Sequence, residues 1–316
     1  MCGIFGFVAN RTNNNIPLRK IADQLFILSE SRGKEASGIS TLTPTSINVL
    51  KLPLQASQLI KTKEYDEFWE KVNQTFSFLG HSRLATNGLQ SENRNNQPVY
   101  SKRTVGVHNG MILNDVELWK KYPTFHRQSE VDTEVFIALF DYFTQKGLSL
   151  DKTIKRVYDL IQGAVSIALF LSDYPVIVLA TNTGSLYYAR TKSSFIFASE
   201  RYILEQAIIK TKLDQLMPID TIQHLTAGFA CVVDKESLFI DAFSLKSNRK
   251  MKVNIKQYNK PLIVHNKTPD SIDSFYHSED LYQNSLNKLS THEPDYNAIK
   301  KLQRCTKCIL PETMPY

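Results

Sequence analysis

The sequence predicts an α+β fold in which stacked β-sheets are covered by helices. Three observations lead there. Strand-like runs open the chain, two helical stretches dominate its middle, and paired strands return before residue 243; that order suits sheets packed on each other with helices outside. At 316 residues the chain is long enough for one large domain or two, with a core that needs no staple. Hydrophobic residues make up 42% and charged residues 22%, which excludes a wholly disordered chain, and 12 Gly with 12 Pro exclude a collagen-like one.

The elements follow in order. Cys2 to Asn10 reads as a strand, and its start at the second residue implies that something holds the chain end in place. Leu18, Ile21, Leu25 and Leu28 recur at helical spacing over Pro17 to Ser29. Gly38 to Leu42 and Ile47 to Leu52 form two strands around a turn at Pro44. Tyr65 to Val72 is helical, Phe76 to Leu84 is a strand, and a polar loop runs from Ala85 to Pro98. A short strand, Thr104 to His108, ends in Asn109-Gly110, a turn dipeptide. Asn114 opens a short helix. Asp132 to Phe143 and Ile154 to Ile161 carry helical apolar spacing. Ala164 to Leu171, Val176 to Thr181, Leu186 to Ala189, Phe195 to Ala198, Phe229 to Val233 and Leu238 to Asp241 complete the strands. Ser199 is expected to cap the helix that follows it. The reading divides the chain into a domain over 2–243, a linker or extended arm over 244–304, and a cysteine-pair tail over 305–316.

Net charge is +7, and six Lys or Arg without an acidic residue fall between Lys246 and Lys260. With no aromatic interleaving and no nucleic-acid motif, this is read as a solvated basic arm rather than a nucleic-acid interface. The longest apolar stretch, within Val165 to Thr181, is interrupted by Ser172, Asp173 and Pro175, so no membrane insertion is expected. Four cysteines do not make a disulfide framework, and no signal peptide is recognisable, so a cytoplasmic protein is expected. Cys231 lies in an apolar strand and is read as a core residue.

Cys2 carries the chemistry. Removal of Met1 leaves one residue bearing both a thiol, of reference pKa about 8.5, and an α-amine, of about 7.7 to 8.0. The amine accepts the thiol proton and no histidine is needed. Four further segments complete a constellation. Gly80-His81-Ser82-Arg83-Leu84-Ala85-Thr86 brings Arg83 to a strand end, where it grips a carboxylate. His108-Asn109-Gly110 offers the Asn109 amide and the Gly110 N–H as an oxyanion hole, or else is a plain turn. Val131-Asp132-Thr133-Glu134 opens a helix, and Asp132 either pairs with a substrate ammonium or caps that helix. Arg32-Gly33-Lys34-Glu35-Ala36-Ser37-Gly38 supports the floor. An α-amino acid with a reactive side-chain carbonyl satisfies all of them, and glutamine is one.

In the order CGIFGF, RGKEASG, GHSRLATNG, HNGMILN and VDTE, residues 2–243 resemble the class II glutamine amidotransferases. The resemblance implies a four-layer αββα sandwich of the N-terminal-nucleophile hydrolase type. It implies Cys2 as nucleophile with its free amine as base, and Asn109 and Gly110 as oxyanion hole. It assigns Arg83 to the glutamine α-carboxylate, Asp132 to the α-ammonium, and His81 and Thr86 to the site wall. Glutamine hydrolysis needs no cofactor in this family, and the ammonia passes to a synthase domain or subunit. Many members that make amino sugars have Trp and His where this chain has Leu84 and Asn87.

The tail Cys305-Thr306-Lys307-Cys308-Ile309-Leu310-Pro311-Glu312-Thr313-Met314-Pro315 resembles the opening of the N-acetyl-sugar amidotransferases, which act on surface-polysaccharide precursors. That resemblance implies an ammonia acceptor of the N-acetyl-sugar class and ATP use only in a partner or missing domain. Cys305 and Cys308 have zinc-ligand spacing, but only as a half-site to be completed elsewhere, His277 and His292 being the nearest upstream candidates. Two alternatives stand beside this reading: the glutaminase head of an asparagine-synthetase-like or glucosamine-6-phosphate-synthase-like enzyme, and a non-catalytic interaction domain with the same fold.

Overall fold

A computed structural model describes residues 2–9, 17–43, 46–72, 75–215, 218, 221–246 and 263–266. The cysteine-pair tail, His277, His292 and most of the basic arm lie outside the described residues. The strands are β1 (Gly3–Ala9), β2 (Ala36–Leu42), β3 (Ser46–Leu52), β4 (Ser77–Arg83), β5 (Val99–Tyr100), β6 (Thr104–Ile112), β7 (Gly163–Leu171), β8 (Val176–Thr181), β9 (Tyr187–Arg190), β10 (Ser194–Ala198), β11 (Gln223–His224), β12 (Phe229–Asp234), β13 (Ile240–Ser244) and β14 (Ile263–Asn266). The helices are α1 (Leu18–Ser29), α2 (Ala56–Leu59), α3 (Lys63–Lys71), α4 (Asp115–Lys121), α5 (Thr133–Gln145), α6 (Leu150–Leu160) and α7 (Arg201–Thr211).

Two sheets result. One has the order β11-β9-β10-β1-β4-β2-β3-β14, the other β13-β12-β8-β7-β6-β5. Alternation along each strand explains why both are buried on two faces. On β1, Phe5, Phe7 and Ala9 pack under α1, α3 and α7, while Ile4 and Val8 turn toward the other sheet. On β7, Val165, Ile167, Leu169 and Leu171 pack under α5 and α6, while Ala168 and Phe170 face inward. The layers are therefore helix, sheet, sheet, helix, a four-layer αββα sandwich. Among the described residues no helix is long and apolar enough to cross a membrane.

The structure departs from the sequence reading in four places. β6 does not end at His108 but continues through Asn109 and Gly110 to Ile112, paired with β7 along its whole length. The last sheet-edge strand begins at Ile240, because Leu238 adopts a left-handed turn at φ 56°. Glu200, not Ser199, occupies the cap position of α7, and the Ser199 hydroxyl instead accepts from the Ile4 N–H at 3.3 Å. Finally, the basic arm contributes β14, which pairs parallel with β3 from Ile263↔Ser46 to Asn266↔Val49. Cys231 is fully buried as expected, and burial pushes its thiol up to about 12.

Candidate active site

The site is assembled from strand ends on the two facing inner surfaces. Cys2 immediately precedes β1. Arg83 closes β4, the strand beside β1, whose register sets Gly3 opposite Ser82. Cys2 is buried at 8% exposure. Its Sγ accepts from the Leu84 N–H at 3.4 Å and lies 3.5 Å from the Leu84 carbonyl, to which the thiol donates. The Cys2 carbonyl accepts from Arg32 Nε at 3.2 Å, and the Arg32 guanidinium is in turn paired with Glu200. Gly33 lies flat on the same corner: a Cβ there would come within 2.2 Å of the Arg83 carbonyl carbon. The RGKEASG segment therefore fixes the main chain on both sides of the thiol and contributes no reacting group.

Burial is the main influence on the Cys2 thiol and pushes its pKa up; the Leu84 N–H and the Arg83 guanidinium pull it down, and the Asp132 carboxylate pushes it up again. The resting group is thus a thiol that needs a proton acceptor at hand. Both charged candidates for substrate binding, Arg83 and Asp132, are close enough to act on it.

Arg83 is only 3% exposed. Nη1 donates to Asn96 Oδ1 at 2.8 Å, and Nη2 donates to the Gly88 carbonyl at 3.0 Å and to the Asn87 carbonyl. These bonds leave Nε–H and one Nη1 hydrogen for a ligand. Asn109, on β6, shares the face of Val105 and Val107 toward the other sheet. Its buried Oδ1 has no hydrogen-bond partner among the described residues. A buried side-chain oxygen left unpaired is uncommon in a folded protein and calls for an explanation. Next to it, Gly110 sits at φ +141°, and a Cβ there would stand 1.8 Å from the Ala164 carbonyl oxygen. Only glycine allows this strand to keep its register with β7 while turning the backbone there.

Asp132 stands at the cap position of α5 without capping it. Its Oδ2 accepts from the Ile112 N–H at 2.6 Å, and Oδ1 lies 3.7 Å from His108 Nδ1. The carboxylate thereby ties the start of α5 to the end of the strand that carries Asn109 and Gly110. His81 and Thr86 are placed differently from each other. Thr86 is exposed in the loop after β4. His81 is fully buried between the sheets, its Nε2 3.3 Å from the His108 carbonyl.

Burial pushes His81 down to about 3, with the Arg83 guanidinium acting in the same direction. An unfolded histidine titrates near 6.5. Below that value the unfolded chain takes up a proton that folded His81 refuses, so this stability is present above about 6.5 and is lost as pH falls toward about 3. The melting temperature is expected to drop between pH 7 and pH 4, and His81→Gln should flatten part of that drop. Equal slopes for the two proteins in calorimetry would contradict the assignment.

Sequence reasoning named Cys2, Arg83, Asn109, Gly110 and Asp132; the structure places Cys2 just before β1, Arg83 at the end of β4, Asn109 and Gly110 within β6, and Asp132 ahead of α5 with its carboxylate on the Ile112 N–H of β6. It did not single out the supports. Asn95 holds Glu130, through Glu130 N–H to Asn95 Oδ1 at 2.9 Å and Asn95 Nδ2 to Glu130 Oε2 at 3.2 Å. Gln97 brackets the His108 peptide, accepting from its N–H at 2.6 Å and donating to its carbonyl at 3.2 Å. The one signal was three consecutive amides, Asn95-Asn96-Gln97, ahead of a strand. Among the described residues no group of three or more His, Cys, Asp or Glu is placed to hold a metal.

Residues 81–206 match the family model described as a glutamine amidotransferase domain, a span that includes Arg83, Asn109, Gly110 and Asp132. Glutamine–fructose-6-phosphate aminotransferase (isomerizing) of Staphylococcus aureus is 28% identical over 215 residues, covering 67% of this chain and 34% of the relative. The enzyme of that name from Staphylococcus epidermidis is 29% identical over 211 residues, covering 65% and 33%. The chain thus spans about a third of the length of these curated relatives. Among solved structures, glutamine phosphoribosylpyrophosphate amidotransferase from B. subtilis superposes with a TM-score of 0.58 at 17% identity, over 78% of this chain and 50% of that one. A structure described as the allosteric regulatory enzyme of purine biosynthesis gives 0.61, also at 17% identity and with the same two coverages. Over residues 81–206 the chain is thus similar to glutamine amidotransferase domains, and its fold is similar to that of these two solved structures.

Proposed function

We propose that the protein hydrolyses L-glutamine to glutamate and ammonia through a thioester on Cys2, and that the ammonia aminates a sugar acceptor. The observation that carries this reading is the position of the thiol. It is held on the Leu84 N–H, one residue beyond Arg83, where the Arg83 guanidinium and the Asp132 carboxylate both act on it. The α-amine of Cys2 takes the thiol proton, and the sulfur attacks the glutamine δ-carbonyl. The oxyanion accepts from Asn109 Nδ2 and the Gly110 N–H. Collapse expels ammonia, protonated by the amine, and leaves a γ-glutamyl thioester. A water activated by the same amine then frees glutamate. Arg83 receives the α-carboxylate and Asp132 the α-ammonium.

The proposed acceptor is an N-acetyl-sugar, on the strength of Cys305-x-x-Cys308 followed by Pro311-x-Thr313-x-Pro315. An ATP-using synthase domain or subunit would consume the ammonia, and zinc would enter only if that partner completed the cysteine pair. A second reading, a head acting on a sugar phosphate, is favoured by the names of the curated relatives. Leu84 and Asn87, where many amino-sugar-forming members carry Trp and His, weigh against it.

Glutamate release from L-glutamine by the full chain, alone and with candidate acceptors and ATP, tests the reading. Asp132→Asn separates the two duties of that carboxylate, because an amide oxygen still accepts from Ile112 while the charge is gone. It should raise KM for glutamine about tenfold or more, the scale of a hydrogen bond to a charged group. An unchanged KM would show that Asp132 serves only to hold β6.

A further inference from the structure

Lys51 is a buried cation without a role in the steps above. It lies on β3 in the stripe of Ile47 and Val49, which face the space between the sheets. A third apolar residue would continue that stripe at less cost, since an ammonium removed from water is expensive to keep. The side chain is 4% exposed. Its Nζ donates to the Asn96 carbonyl at 2.7 Å and stands 5.5 Å from the centre of the Tyr100 ring. Burial pushes the ammonium down to about 7; Glu134 of α5 opposes this and Arg83 of β4 adds to it.

Asn96 is the link. It is fully buried, and each of its polar groups has a separate task. The carbonyl accepts from Lys51, Oδ1 accepts from Arg83 Nη1 at 2.8 Å, and Nδ2 donates to the Gln90 carbonyl at 2.8 Å. Movement of the Asn96 main chain would therefore carry Oδ1, and with it the plane of the guanidinium. Among the described residues, every hydrogen bond that holds the Arg83 guanidinium goes to a neutral acceptor, of which Asn96 Oδ1 is the only side chain.

We propose that Lys51 and Asn96 form a strut that sets the angle of the Arg83 guanidinium and so selects substrates with a free α-carboxylate. The inference rests on the reading that Arg83 receives that carboxylate. Lys51 is a positioning residue: it acts through Asn96 and touches no reacting atom. A bidentate grip tolerates little misalignment, so a small rotation of the fork weakens binding before it affects the chemistry at Cys2.

The test compares L-glutamine with L-glutaminamide, which keeps the ammonium and replaces the carboxylate by a carboxamide, on the full chain. The unmodified protein should prefer glutamine. Lys51→Met should raise KM for glutamine about tenfold while kcat falls less than about twofold, and should leave KM for the amide unchanged. Asn96→Ala should do the same, and the double variant should be no worse than Asn96→Ala, because both act along one path. If Lys51→Met does not fold, by circular dichroism, Asn96→Ala carries the test. Parallel rises of KM for both substrates, or a fall in kcat at constant KM, would reduce the strut to loop support and overturn the proposal. An unmodified protein that turns over glutamine without preferring it would instead remove the role of Arg83, and the strut with it.

Discussion

Cys2→Ala is expected to abolish glutamine hydrolysis, with turnover falling by about four orders of magnitude or more, the scale seen when a covalent nucleophile is removed. The fold should survive. Cys2 lies just outside β1, and its main-chain carbonyl, which Arg32 holds, is untouched by the change. Among the described residues its thiol hydrogen-bonds to the Leu84 peptide. Losing one sulfur from that position should shift the melting temperature by no more than a few degrees. Cys2→Ser keeps the volume and tests the chemistry alone, because a hydroxyl surrenders its proton far less readily than a thiol does. Steady-state glutamate release together with circular dichroism checks both variants. Full turnover by either would remove the central assignment.

Asn109→Ala is the second large effect, expected to lower kcat by about a hundredfold to a thousandfold with little change in KM, as for loss of one oxyanion donor worth roughly 3 kcal/mol. Among the described residues the buried Asn109 Oδ1 has no hydrogen-bond partner, so truncation costs the fold no bond to that oxygen. The contrast with Gly110 is instructive. Gly110→Ala would press a methyl group to within 1.8 Å of the Ala164 carbonyl oxygen at a φ of +141°, so it should disturb β6 and lower stability as well as turnover. An Asn109→Ala variant that lost KM and melting temperature together would point to a structural amide instead.

Much of this was legible in the sequence because the relevant signals are local. The unbroken apolar runs of Gly3–Ala9 and Val176–Thr181 mark strands buried on two faces, and the spacing over Leu18–Ser29 and Thr133–Gln145 marks covering helices. The candidate site residues were legible because each chemical demand names a residue type: a thiol on an amine, an amide beside a glycine, an arginine at a strand end.

What stayed hidden depends on tertiary pairing. Asn109-Gly110 reads as a turn, yet the nine-residue ladder with β7 holds it in a strand. β14 has four residues and no pattern of its own, and its place comes from the exposed edge of β3. Ser199 has the chemistry of a cap, but Ile4 claims its hydroxyl. Lys51 breaks an apolar stripe, which flags it only once the face of β3 is known. The linked amides 95–97 look like an ordinary polar loop until Arg83, Glu130 and His108 are seen at their other ends.

The claim beneath all of this is that a free amino-terminal cysteine forms a bond to glutamine. Incubating the active protein with 6-diazo-5-oxo-L-norleucine, an electrophilic glutamine analogue, and sequencing the modified peptide by mass spectrometry measures it. The account predicts one adduct per chain, on Cys2, with Met1 absent and excess glutamine protecting. An active protein that retains Met1, or an adduct that forms on another cysteine while Cys2 stays free, would contradict it.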